Sequence, residues 1–91
     1  MKNKIYVLGP KSSGKTTFIH KIMGRDYVIF KDNVIESGEK IAPEDAAQIY
    51  LIFPNPDELR NRGGDITDEE VEDWMSFYYS HAKDITIVED F

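Results

Sequence analysis

Near the amino terminus lies the stretch Gly9-Pro10-Lys11-Ser12-Ser13-Gly14-Lys15-Thr16, and the expected architecture follows from it. Ahead of it, residues 4–8 form a short apolar run that is typical of a buried strand. Behind it, residues 15–23 carry apolar side chains at helical spacing, and Gly24 then supplies a helix stop. The stretch is therefore predicted to be the turn between a first strand and a first helix.

The spacing of glycine, lysine and hydroxyl residues in this turn is that of a phosphate-binding P-loop. Gly9 and Gly14 let the backbone curl so that successive N–H groups point at phosphate oxygens, and the helix adds the positive end of its dipole. Lys15 is expected to reach the β- and γ-phosphates, and the Thr16 hydroxyl to hold Mg²⁺. The cofactor is thus predicted to be Mg²⁺ with ATP or GTP. The residues expected to contact it are Gly9, Pro10, Lys11, Ser12, Ser13, Gly14, Lys15, Thr16 and Thr17.

Strands and helices alternate along the rest of the chain. Further apolar runs predict strands at residues 27–30, 49–53 and 85–88. Thr67 and Glu70 have the spacing of a capping box, which predicts a helix that begins there. The pattern indicates one domain, residues 1–91, with an α/β fold of the minimal P-loop type: three layers around a roughly four-stranded, mainly parallel sheet.

Residues 33–47 leave their structure open. Val34-Ile35 is compatible with a strand that returns antiparallel to the strand predicted at 27–30. Residues 33–41 also fit a poor helix interrupted by Gly38, or a loop, and we slightly favour helix or loop.

Three charged residues outside the loop are candidates for the site. Asp32 follows the predicted strand 27–30, where a second, Mg²⁺-linked acid would sit, although an acid in a solvated turn is equally ordinary. Arg60 and Arg62 precede Gly63-Gly64, so two guanidinium groups on a flexible segment are placed to close over transferring phosphate. The alternative for both arginines is a solvated basic turn. Lys15, Arg60 and Arg62 are the predicted catalytic residues.

Charge and composition limit the partners. The chain has 91 residues, a net charge of −6 and no cysteine. Residues 1–31 hold seven Lys/Arg and one acid, whereas residues 32–91 hold four Lys/Arg and sixteen acids. This makes nucleic acid an unlikely partner, because duplex affinity depends on neutralising phosphates. The acidic part either solvates exposed faces or meets a basic protein.

Other composition-based expectations concern location and metals. No apolar run is long enough for a membrane span, so a cytoplasmic protein without a membrane partner is expected. The two isolated histidines, His20 and His81, are expected to be ordinary helix-surface residues rather than metal ligands.

The order of these motifs resembles that of guanylate kinases and related nucleoside monophosphate kinases. The P-loop with its Gly9-Pro10 start carries the most specific part of this resemblance. Residues 49–54, 57–63, 67–71 and 84–91 look like that family's fourth strand, arginine-bearing lid, following helix and last strand. The resemblance implies a sheet of four parallel strands in the order 27–30, 4–8, 49–53, 85–88, with Asp32 as the metal-linked aspartate.

The chain also departs from the family, whose members are considerably longer. Gly24-Arg25-Asp26 leads directly into what looks like the family's third strand, so the segment that holds the acceptor nucleotide is missing. Two functions are therefore expected from the sequence. One is a pared-down nucleotide-binding phosphotransferase with weak or no transfer. The other is an inactive kinase-like module that binds a protein partner, for example a viral protein that modulates a host factor, through its acidic surface or an exposed edge strand.

Overall fold

A computed structural model of the chain describes residues 4–24 and 31–89. The four strands are β1 (Lys4–Leu8), β2 (Val34–Ser37), β3 (Ala46–Ile52) and β4 (Ile85–Val88). The three helices are α1 (Lys15–Met23), α2 (Pro56–Asn61) and α3 (Asp68–Ser80). A single 3₁₀ turn, Lys31–Asn33, leads into β2.

The strands form one four-stranded sheet in the order β2-β1-β3-β4, and all three pairings are parallel. The prediction of an α/β fold with a four-stranded parallel sheet is confirmed. The predicted sheet order is wrong at one edge, because the neighbour of β1 is Val34–Ser37 rather than residues 27–30. The predicted strand at 27–30 itself lies outside the described residues.

Of the alternatives expected for residues 33–47, the antiparallel return and the helix are wrong, and the loop is found only at residues 38–45. Val34 pairs with Ile5 and Ser37 with Leu8, so β2 runs parallel to β1 instead of turning back antiparallel to another strand. Residues 38–45 then cross to β3 without a helix. Because Val34 and Ile35 are β-branched and half-buried, pairing beside β1 satisfies their backbone groups where an isolated helix broken by Gly38 would not.

Side chains that alternate along the strands divide the core between the two faces of the sheet. Tyr6, Leu8 and Leu51 point to one face, where they pack with residues such as Leu59 and Trp74 from the α2–α3 side. Val7 and Ile52 point to the other face and pack with Phe18 and Ile19 of α1. The result is three layers, with the sheet in the middle.

The helix boundaries agree closely with the sequence patterns. Helix α1 spans the predicted residues and ends at Gly24, whose φ is 52°. Ile22, predicted on its apolar face, is instead 43% exposed. Helix α3 has Thr67 as its N-cap, and the Thr67 side chain accepts a hydrogen bond from the Glu70 N–H at 3.1 Å. The predicted N-cap is therefore confirmed, and the Glu70 carboxylate lies 3.4 Å from the Thr67 hydroxyl.

The helical spacing of Val71, Trp74, Met75, Tyr78 and Ala82 predicts one apolar stripe along α3, and the observed stripe is shorter. Trp74 is buried at its centre and Val71, Met75 and Tyr78 pack around it. Ala82, which the pattern placed on the same stripe, lies beyond the end of the helix and is exposed. None of the helices in the described ranges is long and apolar enough to cross a membrane.

Candidate functional site

The loop between β1 and α1 lies at the carboxyl edge of the parallel sheet, where ligands bind in open α/β folds. It is tied to the neighbouring strand, since the Gly9 N–H donates to the Ser37 carbonyl at 3.3 Å. A turn closes it internally, with the Ser13 N–H donating to the Pro10 carbonyl at 3.2 Å. The loop is therefore held by backbone contacts on both sides.

Two loop positions require glycine for different reasons. A Cβ on Gly9 would stand only 2.5 Å from the Ile52 carbonyl oxygen and 2.7 Å from Ser13 Oγ, so any side chain there would force the backbone apart. Gly14 has φ 95°, a conformation that other residues adopt at a cost. Ser12 takes a left-handed φ of 67° without being glycine, and such strained backbone clusters at ligand-binding sites.

Ser13 is completely buried, and its Oγ has no hydrogen-bond partner among the described residues. A buried hydroxyl without a partner costs free energy, and native proteins keep few of them. The loop thus contains an unsatisfied polar group next to its strained backbone.

Lys15 lies over this loop. Its Nζ donates to the Gly9 carbonyl at 2.9 Å and to the Pro10 carbonyl at 3.0 Å. Burial lowers the pKa of the Lys15 ammonium, and the nearby Glu36 carboxylate acts in the opposite direction. A desolvated ammonium that contacts only neutral carbonyls is stabilised when an anion binds beside it.

Thr16, in the first turn of α1, meets a carboxylate from β2. Its Oγ1 lies 3.0 Å from Glu36 Oε1 and 3.1 Å from Glu36 Oε2. Glu36 points to the α1 face because it stands two residues after Val34 on the same strand. A hydroxyl beside a carboxylate offers the hard oxygen ligands that Mg²⁺ prefers. The described part of the chain contains no cluster of three His, Asp or Glu residues suited to a metal.

The prediction that Asp32 joins this metal site is not supported by the fold. Asp32 lies in the 3₁₀ turn before β2 and is exposed. The pairing of Val34 with Ile5 places that turn at the amino edge of the sheet, opposite the loop. Sequence reasoning missed Glu36 because it assigned no strand to Val34–Ser37. The signal that would have found it is an acid directly after the β-branched pair Val34-Ile35.

Arg62 reaches the loop from the other side. Its Nη1 donates to the Ser13 carbonyl at 3.2 Å, and its Nη2 lies 2.6 Å from Glu58 Oε1. Arg62 lines a cavity of about 470 Å³ together with three residues of the loop region: Ser12, Gly14 and Thr17. The structure therefore brings this predicted guanidinium to the predicted phosphate loop.

Arg60 does not reach the loop, contrary to the prediction. Its guanidinium is engaged by the Asp68 carboxylate at 3.0 Å, the Ile66 carbonyl at 3.3 Å and Asp57 at 3.5 Å. These contacts tie α2 to the start of α3. The local reason is helical spacing. Arg60 lies in the last turn of α2 and Arg62 is its C-cap, so the two side chains point to different faces.

The segment after Arg62 is packed against the loop. Gly64 is buried, and a Cβ there would lie 3.2 Å from the Lys11 carbonyl oxygen and 3.0 Å from that of Leu59. The neighbouring Ile66 joins the core. Gly64 therefore permits a close approach to the loop backbone, whereas Gly63 is exposed with a φ of 88°.

The remaining predicted residues are distributed as follows. Pro10 is buried at the start of the loop, and the Lys11 and Thr17 side chains are exposed. His20 is exposed on α1, and the His81 ring packs against Phe77 with centroids 5.1 Å apart. Neither histidine belongs to a group of three His, Asp or Glu among the described residues that could hold a metal ion.

Comparison of the chain with models of known protein families, with curated proteins and with solved structures gives no match.

Proposed function

We propose that the chain binds Mg²⁺ with ATP or GTP through the phosphates, in the loop Gly9–Thr16. The observation that carries this proposal is the convergence of two cationic side chains on one loop: Lys15 and Arg62 contact loop carbonyls from opposite sides. The amino end of α1 faces the same place and adds its dipole. A triphosphate is the ligand whose charge and length match such an arrangement.

Each residue has a separate role in this proposal. Lys15 exchanges the Gly9 and Pro10 carbonyls for phosphate oxygens, which relieves the desolvation of its ammonium. Arg62 contributes a planar guanidinium suited to two phosphate oxygens at once. Thr16 and Glu36 hold Mg²⁺, which when bound neutralises phosphate charge and orients the phosphates. Thr17 and the loop N–H groups complete the cradle.

Phosphotransfer is proposed to be weak or absent. The resemblance to guanylate kinases motivates a kinase-type ancestry, yet that resemblance includes no acceptor segment. Of the two arginines expected to act on transferred phosphate, only Arg62 stands by the loop, while Arg60 is engaged with acids of α2 and α3. Transfer between two nucleotides depends on positioning both of them, so one bound nucleotide is not sufficient.

Titration calorimetry with ATP and with GTP, each with Mg²⁺, tests the binding. We expect saturable heat for the parent chain and its loss in Lys15→Ala, because the ammonium supplies the closest charge to the phosphates. Lys83→Ala is the control for loss of a lysine charge. Lys83 is exposed, whereas Lys15 is half-buried, and Lys83 lies just before β4 at the opposite end of the strands from the loop. Absence of heat at millimolar nucleotide, or equal binding by Lys15→Ala, would refute the proposal.

The alternative function, a kinase-like module that acts by binding a partner protein, is favoured by a different surface. That surface is the outer edge of β4, beyond which residues 4–24 and 31–89 place no further strand, and it shares no residue with the Lys15 and Arg62 contacts. The two functions are compatible in one chain.

A further inference from the structure

Strand β4 forms an edge of the sheet, and half of its backbone groups face outward. The Val88 carbonyl accepts a hydrogen bond from the Phe53 N–H at 2.9 Å, so Val88 directs its backbone toward β3. Neighbouring residues of a strand direct their N–H and C=O groups to opposite sides. The backbone of Ile87 therefore faces the free edge, and the described part of the chain places no strand beyond it.

An apolar groove runs beside this edge. It has a volume of about 490 Å³ and lies between β4, the start of α2 and the half-buried residues Val71 and Met75 of α3. Its apolar lining consists of Phe53, Pro54, Pro56, Val71, Met75 and Ile87. A strand added to β4 would direct alternate side chains to this face of the sheet, where the groove would take one of them.

The surroundings of the groove are acidic. The charged residues that line it are Glu58 and Glu89, both exposed. Residues 53–89 hold ten acids and three Lys/Arg. Arg60 is paired with Asp68, and Arg62 with the groove residue Glu58, so Glu89 is the lining acid that we assign to an incoming cation. An incoming chain is therefore attracted when it is basic and repelled when it is acidic.

We propose that β4 and the groove bind an extended, basic segment of a partner protein. The segment adds a strand along Ile87, inserts one apolar side chain between Val71 and Met75, and places a Lys or Arg beside Glu89. A second copy of this chain fits less well, because it carries a net charge of −6 and brings its own Glu89 to the interface. This proposal does not depend on nucleotide binding.

The probe is a library of random ten-residue peptides, selected against the full chain and sequenced. We expect enrichment of peptides in which Lys or Arg alternates with large apolar residues. In the best peptide, N-methylation of every second backbone amide should abolish binding, and methylation of the intervening amides should leave it unchanged. Amide hydrogen exchange followed by NMR should show that the Ile87 N–H becomes protected when the peptide binds.

A charge reversal at Glu89 tests whether the basic residue of the bound segment lies beside it. Glu89→Lys should weaken binding of the selected peptide about tenfold, whereas Glu44→Lys, an exposed acid outside the groove, should leave it within about twofold. Four results would overturn the proposal: no enrichment, enrichment of acidic peptides, equal loss from methylation of both sets of amides, or an Ile87 N–H that stays unprotected. Concentration-dependent protection of Ile87 without peptide would assign the edge to a second copy instead.

Discussion

Glu36 and Asp32 are four residues apart in the chain and lie at opposite edges of the sheet. The difference arises because β2 begins at Val34, directly after the turn that contains Asp32. The carboxylate at the carboxyl end of β2 meets Thr16, and the one before its amino end meets solvent. Arg60 and Arg62, at the end of a helix, show the same effect. Arg60 pairs with an acid at the start of α3, whereas Arg62, two residues later, contacts the loop.

Replacing Glu36 with Gln should reduce the Mg²⁺-dependent gain in ATP affinity by roughly ten- to hundredfold, because the carboxylate that faces Thr16 loses its charge. Asp32→Asn is the matched control and should leave this gain unchanged. Calorimetric titrations with and without Mg²⁺ measure both variants. If Asp32→Asn had the larger effect, the position of the metal site proposed here would be wrong.

The two arginines should separate binding from stability. Arg62→Ala should weaken triphosphate binding about tenfold or more, the value of a charge-assisted hydrogen bond. Arg60→Ala should leave affinity unchanged and lower the free energy of unfolding by up to about 1 kcal/mol, as expected for half-exposed ion pairs. Calorimetry combined with urea denaturation checks the pair. Equal losses of affinity in both variants would contradict the assigned roles.

At the scale of elements, the short-range signals were the most informative. The boundaries of β1, α1 and β4 agree with the apolar runs and with Gly24. The capping box sets the start of α3, because Thr67 satisfies the Glu70 N–H that the helix leaves without an internal partner. The strand β2 was missed, since a strand of four residues, three half-buried and one exposed, is too short for its apolar periodicity to be recognised.

Removing the cap should destabilise the fold. Thr67→Ala should lower the free energy of unfolding by about 1 kcal/mol, which for a domain of this size corresponds to a melting temperature lower by about 4–8 °C. Ser76→Ala, at an exposed position inside the same helix, should be neutral or slightly stabilising. Thermal unfolding followed by circular dichroism measures both. An unchanged melting temperature in Thr67→Ala would show that the cap contributes nothing to stability.

At the scale of the whole molecule, the Gly9–Thr16 loop lies at the carboxyl ends of the strands, and β4 is an outer strand of the sheet. The loop lies between α1 and the segment after α2, while β4 is the edge strand opposite β2, with β1 and β3 between them. Residues 33–47, the place where an acceptor site was conceivable, are used to build β2 and the crossing to β3. The described fold therefore holds one candidate phosphate site.

The chain should not phosphorylate GMP efficiently by itself, because Arg60, the second arginine expected to act on phosphate, pairs with Asp68 instead of contacting the loop. In a coupled assay with ATP, Mg²⁺ and GMP, we expect turnover well below the ~1–100 per second of ordinary kinases. The same assay without GMP corrects for hydrolysis of ATP. Turnover within the ordinary range would mean that the chain has an acceptor site after all.

The sequence by itself determined the elements whose signals are local: the Gly9–Thr16 turn, the helix behind it, the capped helix at Thr67 and the parallel character of the sheet. Apolar periodicity, glycine conformation and capping act over a few residues, so they can be read without knowing the fold. Only the tertiary structure decided which strand lies beside β1. With that strand it decided that Glu36, rather than Asp32, lies beside Thr16. It also decided that Arg62, rather than Arg60, contacts the Gly9–Thr16 loop. These choices depend on strand register and on packing between residues far apart in the chain, which neither local pattern nor composition contains.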